Sequence, residues 1–162
     1  MLIISTEARV SPLADIEDSV RGSVIAVEAN ATIDSFVKIK PAGGTGDVRI
    51  GAGSVVNSGT VIYSGNGVDI GRDVLIAANC TLAPVNHEYH DRGLTIKEQR
   101  FMPSKGGIVI EDDVWIGAGS VILDGARLRR GCVVGALSLV VGELAPYSVN
   151  VGAPTRQIGV RS

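Results

Sequence analysis

Large aliphatic residues recur every six positions along most of this chain. Counted from Ile50, the step of six forms two blocks, with two extra residues after Ile62 and a long interruption from Pro84 to Gly107. A period of six is neither helical nor the simple alternation of a strand, and it indicates a short strand followed by a turn. All twelve positions of the two blocks are aliphatic, namely Ile50, Val56, Ile62, Ile70, Ile76, Leu82, Ile110, Ile116, Ile122, Leu128, Val134 and Val140.

The residue two places before each of these aliphatics is small or β-branched, as Val48, Ser54 and Cys80 show. Residues i and i+2 of a strand share a face, so both sets should point into one interior. Three six-residue units would close a triangular coil, and stacked coils would pair in parallel at the usual spacing of about 4.8 Å. The pattern therefore predicts an all-β column; an ordinary β-sandwich would not hold twelve aliphatics in one register.

The repeat also predicts how the chain is organised. Residues 25–146 are expected to form the β-helix domain, with one long protruding loop at about 84–107. Residues 1–24 fit the repeat poorly and are expected to form an irregular first coil or cap, and residues 147–162 a C-terminal tail. A length of 162 residues suits a single domain.

Composition and charge exclude several classes of protein. A net charge of −2 gives no reason to expect the clustered basic surface that binds nucleic acid. The first residues lack the basic and apolar regions of a secretory signal, and no apolar run reaches the roughly 18 residues of a membrane span. We therefore expect a cytoplasmic protein without a membrane span and without a nucleic-acid partner.

Residues 110–159 resemble the hexapeptide-repeat acyltransferases, in particular the O-acetyltransferases that act on galactosides, maltose and surface polysaccharides. The resemblance is carried by VWIGAGSVIL at 114–123, GALSLV at 135–140 and VGAPTRQI at 151–158, and it reaches back to about residue 25. It implies a left-handed parallel β-helix, a homotrimer, acetyl-CoA as the acetyl donor, and active sites between neighbouring subunits. None of these four properties follows from the six-residue period.

The same family carries a histidine where a long loop leaves the column, well before the VWIG motif, and His87 in VNHEYHD stands at that position. By this resemblance His87 is the general base. Histidine suits the role because its ordinary pKa of about 6.5 lies near the working pH. His90 and Asp91 have no equally firm match and are weaker candidates for contact with the acceptor.

The resemblance also assigns a cofactor site. It puts the amide of Ala118 at the thioester, where it would stabilise an oxyanion, and Ala136 at the pantetheine arm. Trp115 would lie beside the active-site groove, and Arg156 near the nucleotide phosphates.

Two basic positions that the family uses for the coenzyme A phosphates are missing here. Gly159 stands at one of them, and Val141-Gly142 replaces the family's Thr-Lys. Three other basic residues remain open as alternatives for binding the phosphates, namely Arg161, Lys105 and Arg129.

Two further expectations come from counting along the repeat. Asp69 lies three six-residue units before His87, so it should lie one strand spacing beneath the histidine and orient its ring. Cys80 and Cys132 occupy inward positions, where a thiol packs as a small hydrophobe. We therefore expect direct acetyl transfer without an acyl-cysteine intermediate.

The expected function is acetyl-CoA-dependent O-acetylation of a sugar hydroxyl in surface polysaccharide or lipopolysaccharide biosynthesis. N-acetylation of a nucleotide-linked amino sugar is the alternative within the enzymes. A zinc enzyme of the γ-carbonic anhydrase kind is disfavoured, because it needs three histidines and this chain has two, so no metal is expected. A non-catalytic β-helix binding protein is the alternative of another class.

Overall fold

The computed structural model describes residues 1–162 and contains 21 short strands and one helix. The strands are β1 Leu2–Ile4, β2 Arg9–Val10, β3 Asp15–Ile16, β4 Ile25–Val27, β5 Thr32–Ile33, β6 Lys38–Lys40, β7 Val48–Ile50, β8 Val55–Val56, β9 Val61–Tyr63, β10 Val68–Ile70, β11 Leu75–Ile76, β12 Thr81–Ala83, β13 Ile108–Ile110, β14 Trp115–Ile116, β15 Val121–Leu123, β16 Arg127–Leu128, β17 Val133–Val134, β18 Leu139–Val140, β19 Glu143–Leu144, β20 Ser148–Val151 and β21 Arg156–Val160. The helix α1, Ile96–Gln99, is a single short turn and is too short to span a membrane.

Successive strands take turns among three sheets, which form the sides of a triangular column. Sheet A contains β1, β4, β7, β10, β13, β16 and β19; sheet B contains β2, β5, β8, β11, β14, β17, β20 and β21; sheet C contains β3, β6, β9, β12, β15 and β18. Every pairing between coils is parallel, and among the strands named above only β20 and β21 pair antiparallel. The fold is the predicted left-handed parallel β-helix of hexapeptide repeats. We call its three edges AB, BC and CA after the sheets they join.

Register between coils confirms the predicted repeat and explains its irregularities. Val109 pairs with Arg127, which is the spacing expected for three six-residue units. Arg49 pairs with Asp69, a slightly longer spacing, because the turn at 64–67 contains the two extra residues. The pairing partner of Asp69 in the next coil is Val109, since the long loop is inserted between them.

The aliphatic core runs the length of the column. All twelve periodic aliphatics are buried, as are the twelve small or β-branched residues two places before them. Polar members of the second set find partners inside: the Ser54 hydroxyl donates to the Gly71 carbonyl at 2.8 Å and accepts the Val74 amide at 2.9 Å. These bonds offset the cost of burying a hydroxyl.

Adjacent coils approach so closely at the edges that some positions accept only glycine. A Cβ on Gly51 would lie 2.2 Å from the carbonyl oxygen of Gly71 in the next coil. This spacing leaves no room for a side chain, which accounts for glycine at several of these edge positions.

The sheets continue on both sides of residues 25–146. At the N-terminus, β1, β2 and β3 pair with β4, β5 and β6, and Leu2 faces Ile25, a spacing longer than three six-residue units. This longer coil explains why the repeat fails there, and its inward side chains are less buried because no coil covers them. At the C-terminus, β20 stacks on β17, and β21 turns back along it.

Candidate active site

The long loop leaves edge CA after β12 and is narrowed at its base into a neck. His87 and Phe101 form an isolated antiparallel bridge. Two backbone hydrogen bonds flank it, from the Glu88 amide to the Arg100 carbonyl at 3.0 Å and from the Met102 amide to the Asn86 carbonyl at 2.8 Å. His87 therefore lies on an ordered part of the loop, close to the column.

The side chain of His87 is exposed, and one of its ring nitrogens is engaged. Nδ1 lies 3.1 Å from the carbonyl oxygen of Arg100, and the ring packs against Phe101 with 4.8 Å between centroids. A carbonyl oxygen can only accept, so this contact requires the proton on Nδ1 and leaves the lone pair of a neutral ring on Nε2. That nitrogen is the one available to accept a proton.

The predicted support of His87 by Asp69 is wrong within this chain. Asp69 lies between Arg49 and Val109 on sheet A, and its carboxylate accepts a hydrogen bond from Arg49 Nε at 2.6 Å. The count along the repeat failed because the chain leaves the column after Ala83, so His87 never takes the place above Asp69.

His90 and Asp91 make contacts inside the loop. His90 Nδ1 is hydrogen-bonded to the carboxylate of Glu88, and its ring stacks on Tyr89 at 4.5 Å. The hydrogen bond to His90 lowers the pKa of Glu88, as do the backbone amides of His90 and Tyr89. Asp91 accepts the Gly93 amide at 2.7 Å and closes a turn. The contacts of Asp91 are those of a structural turn residue.

The loop returns to the column through an anchor that the sequence reasoning missed. The carboxylate of Asp124, which is buried, accepts the backbone amides of Lys105 and Gly107, both at 2.8 Å, and the side-chain amide of Asn66 at 3.1 Å. Arg127 donates to the carbonyl of Gly107 at 2.8 Å. The sequence did contain a signal for this anchor. Asp124 lies two residues after the inward-facing Ile122, so a charged side chain is expected to point towards the interior there.

Trp115, Ala118 and Ala136 lie on or beside sheet B. Trp115 is on β14, 49% exposed, between Leu75 and Val133 of the neighbouring coils. Ala118 and Ala136 are exposed on edge BC, one coil apart, and neither amide donates a backbone hydrogen bond within the chain. Their N–H groups are therefore free to bind a ligand.

The structure does not bring His87 together with Ala118 in one chain. His87 follows β12 and belongs to edge CA, whereas Ala118 follows β14 and Ala136 follows β17, both on edge BC. The full width of sheet C separates these two edges. A site that uses groups from both edges at close range requires a second copy of the chain.

Two of the alternative basic residues are already paired with carboxylates. Arg129 donates to Glu111 at 2.9 Å and to Glu143 at 2.8 Å; these bonds raise the pKa of Arg129 and lower the pKa of both carboxylates. Arg161 donates to Asp113 at 2.9 Å. Both guanidinium groups would have to exchange these partners for a phosphate.

Lys105 and Arg156 have no ion pair within the chain. Lys105 lies where the loop returns to edge CA, and Arg156 begins β21 and is exposed. Of the four basic residues considered for the coenzyme A phosphates, these two are left free for an anionic ligand.

Both cysteines are packed in the core, as predicted. Burial raises the pKa of the Cys80 thiol, and burial together with the charge of Glu111 raises the pKa of Cys132 to about 12. A nucleophilic cysteine needs exposure and a lowered pKa. Neither thiol has these properties.

Comparison with known proteins agrees with this architecture. The family of bacterial transferase hexapeptides (six repeats) matches residues 107–142. The galactoside O-acetyltransferase of Escherichia coli K12 is 35% identical over 116 residues, covering 69% of this chain and 53% of the relative. A probable acetyltransferase of Mycobacterium tuberculosis is 34% identical over 113 residues, covering 70% of this chain and 37% of the relative.

Solved structures show the same column. A hexapeptide-repeat acetyltransferase from Vibrio cholerae, complexed with acetyl-CoA, superposes with a TM-score of 0.73 at 27% identity over 85% of this chain and 72% of the other. The N-acyltransferase AntD from Bacillus cereus, complexed with dTDP and coenzyme A, gives 0.81 at 23% identity over 98% and 84%. The similarity to AntD shows that the two proteins share a fold.

Repeat, column and protruding loop together define a hexapeptide-repeat β-helix protein. The chain carries the hexapeptide repeat of the bacterial transferase family at residues 107–142 and is similar to the acetyltransferases described above. It spans 37% and 53% of the lengths of the two curated relatives described above.

Proposed function

We propose that this protein transfers the acetyl group of acetyl-CoA to a hydroxyl group of a sugar, in the assembly of a surface polysaccharide or lipopolysaccharide. The observation that carries the proposal is the free Nε2 of His87, held at the neck of the loop by the contact of Nδ1 with Arg100. The galactoside O-acetyltransferase and acetyl-CoA-bound relatives support the reaction class.

In the proposed reaction the acceptor oxygen attacks the thioester carbonyl carbon while His87 Nε2 takes the hydroxyl proton. The oxyanion of the tetrahedral intermediate accepts a hydrogen bond from the Ala118 amide. The C–S bond then breaks, the imidazolium returns its proton to the departing sulfur, and free coenzyme A leaves with the acetyl ester. The packed cysteines favour this direct route over an acyl-enzyme.

The proposed site requires a homotrimer in which the CA edge of one copy faces the BC edge of the next. Sheet B offers a surface for such contact, because the outward positions Val55, Leu75, Trp115 and Val133 are in register across four coils. Leu75 is 44% and Trp115 49% exposed. An exposed apolar stripe of this kind marks an interaction site.

We propose further that acetyl-CoA lies along edge BC. The free amides of Ala118 and Ala136 would meet the thioester and the pantetheine arm, Trp115 would border the groove, and Arg156 would approach the phosphates. Of the three alternatives named from the sequence, Lys105 is the one without an ion pair, and on edge CA of the neighbouring copy it would join Arg156 in binding the phosphates.

The test is thiol release from acetyl-CoA with neutral sugars and nucleotide-linked amino sugars assayed in parallel. His87→Ala should lower kcat by about 10²- to 10⁴-fold, as expected for loss of a general base, and its fold should persist because the side chain is exposed. His90→Ala is the matched control, with the same residue type in the same loop, and should keep kcat. A rise in KM for the acceptor in this variant would assign His90 to acceptor contact.

Full activity in His87→Ala would contradict the mechanism. Acetylation of amino sugars alone would select the N-acetyltransferase alternative. Failure to bind acetyl-CoA at all would favour a binding protein built on the same column.

A further inference from the structure

A groove on edge CA lies next to His87, and its other lining side chains are uncharged. It has a volume of about 340 Å³. It is lined by Ala42, Gly43, Tyr63, Ala83, Val85, His87 and Phe101. Apart from the histidine, none of these side chains can carry a charge near neutral pH.

The neighbouring cavities on sheet A have the opposite character. One of them is lined by Arg49, Asp69, Glu111, Asp112 and Arg130 among others. An ionised ligand finds several charged side chains in that cavity, whereas the groove offers it only the ring of His87. His87 must be neutral to act as a base, so a nucleotide diphosphate bound in the groove would have no cationic partner there, which is costly.

The walls of the groove are ordered by the column and by the neck of the loop. Tyr63 ends β9 and Ala83 ends β12, so both are held by parallel pairing. Phe101 is fixed against the His87 ring at 4.8 Å. Gly43 lies against Val85, which a Cβ on the glycine would approach to 2.7 Å. The groove is therefore preformed.

We propose that this groove binds an uncharged, apolar part of the acceptor next to the hydroxyl that His87 deprotonates. The inference rests on the proposed acetyl transfer and narrows its acceptor to neutral glycosides with an apolar substituent, such as an alkyl or aryl aglycone. Tyr63 and Phe101 present aromatic rings to that substituent, and Ala42 and Ala83 leave the space for it. Nucleotide-linked sugars are disfavoured acceptors at this site.

The experiment compares methyl and phenyl glycosides of one sugar, together with a nucleotide diphosphate derivative of that sugar, in the thiol-release assay on the intact protein. Burial of the phenyl ring should lower KM by about tenfold relative to the methyl glycoside. Ala42→Leu, which fills the groove, and Phe101→Ala, which removes a wall, should each abolish the difference. Ala29→Leu changes a half-buried alanine in a turn on edge AB and should preserve it.

Saturation-transfer NMR with the same two glycosides gives a readout that does not depend on turnover. Transfer to the phenyl ring that disappears in Ala42→Leu supports the groove even if no acetyl ester forms, so the proposed reaction can fail while this inference stands. Equal KM values for the two glycosides, a preference for the nucleotide derivative, or an NMR signal unchanged in Ala42→Leu would overturn it.

Discussion

Two inactive variants of this chain should restore each other's activity when they assemble together. His87→Ala removes the proposed base, and Ala118→Pro removes the amide proposed to bind the oxyanion. The two residues lie on different edges of the column. A site between copies takes His87 from one chain and Ala118 from the next, so a mixed trimer contains intact sites even though neither parent does.

The geometry sets the size of the effect. In any trimer that contains both variants, one of the three sites combines the intact His87 with the intact Ala118, and random mixing of equal amounts leaves about a quarter of all sites intact. Loss of the base costs about 10²- to 10⁴-fold in kcat and loss of one oxyanion donor about 10²- to 10³-fold. The activity of the intact quarter of the sites is therefore far higher than the residual activity of either parent variant.

Ala118→Pro should leave the fold intact. Gly119 has a φ of 70°, which is the third-residue conformation of a type II turn, and proline is favoured at the residue before it. The Ala118 amide donates no backbone hydrogen bond that proline would remove. Ala29→Pro is the matched control, because Ala29 precedes Asn30 with φ of 59° in a similar turn on edge AB. It should retain full activity.

The assay uses co-expression of the two variants with different affinity tags, selection of assemblies that carry both tags, and thiol release from acetyl-CoA. Separately purified parents mixed without subunit exchange should stay inactive. Doubly tagged assemblies without activity, from parents that fold and assemble normally, would refute the placement of the site between copies.

Three further outcomes are expected from single properties of the column. Asp69→Asn should leave kcat and its pH profile unchanged, since this carboxylate contacts an arginine of the preceding coil; a shifted profile would mean that it reaches the active site from another copy. Gly51→Ala should lower the free energy of unfolding by about 3 kcal/mol in urea titrations because its Cβ would strike a backbone carbonyl, whereas Gly159→Ala, with open space around it, should be neutral. Cys80 and Cys132 are buried and have raised pKa values, so fewer thiolates form and a thiol reagent at neutral pH should label neither in the native protein and both after denaturation; rapid native labelling would reopen the acyl-cysteine route.

Periodicity predicted the column well because the spacing of side chains in a coil is a local property. Each inward residue, such as Ile50 or Leu82, is buried by neighbours that repeat the same pattern, so reading the pattern predicts the packing. The first coil was harder to predict since its longer spacing and less covered side chains break the rule.

The candidate site was only partly predictable. Resemblance selected His87, and the structure shows how its ring is held, through a carbonyl of Arg100 contributed by the other strand of the neck. No count along the chain could find that contact, because it depends on how the long insertion folds back on itself. Because of the same insertion, the residue paired with Asp69 in the next coil is Val109 and not His87.

The amino-acid sequence by itself determined the all-β column, its buried aliphatic positions and the point at which the loop leaves it, since six-residue spacing translates directly into strands and turns. The tertiary structure decided which groups meet. It separated His87 from Ala118 on two edges, paired Arg129 and Arg161 with carboxylates, and formed an uncharged groove beside the histidine. These contacts join residues from different coils and from the returning loop, so they follow from three-dimensional register and not from local pattern.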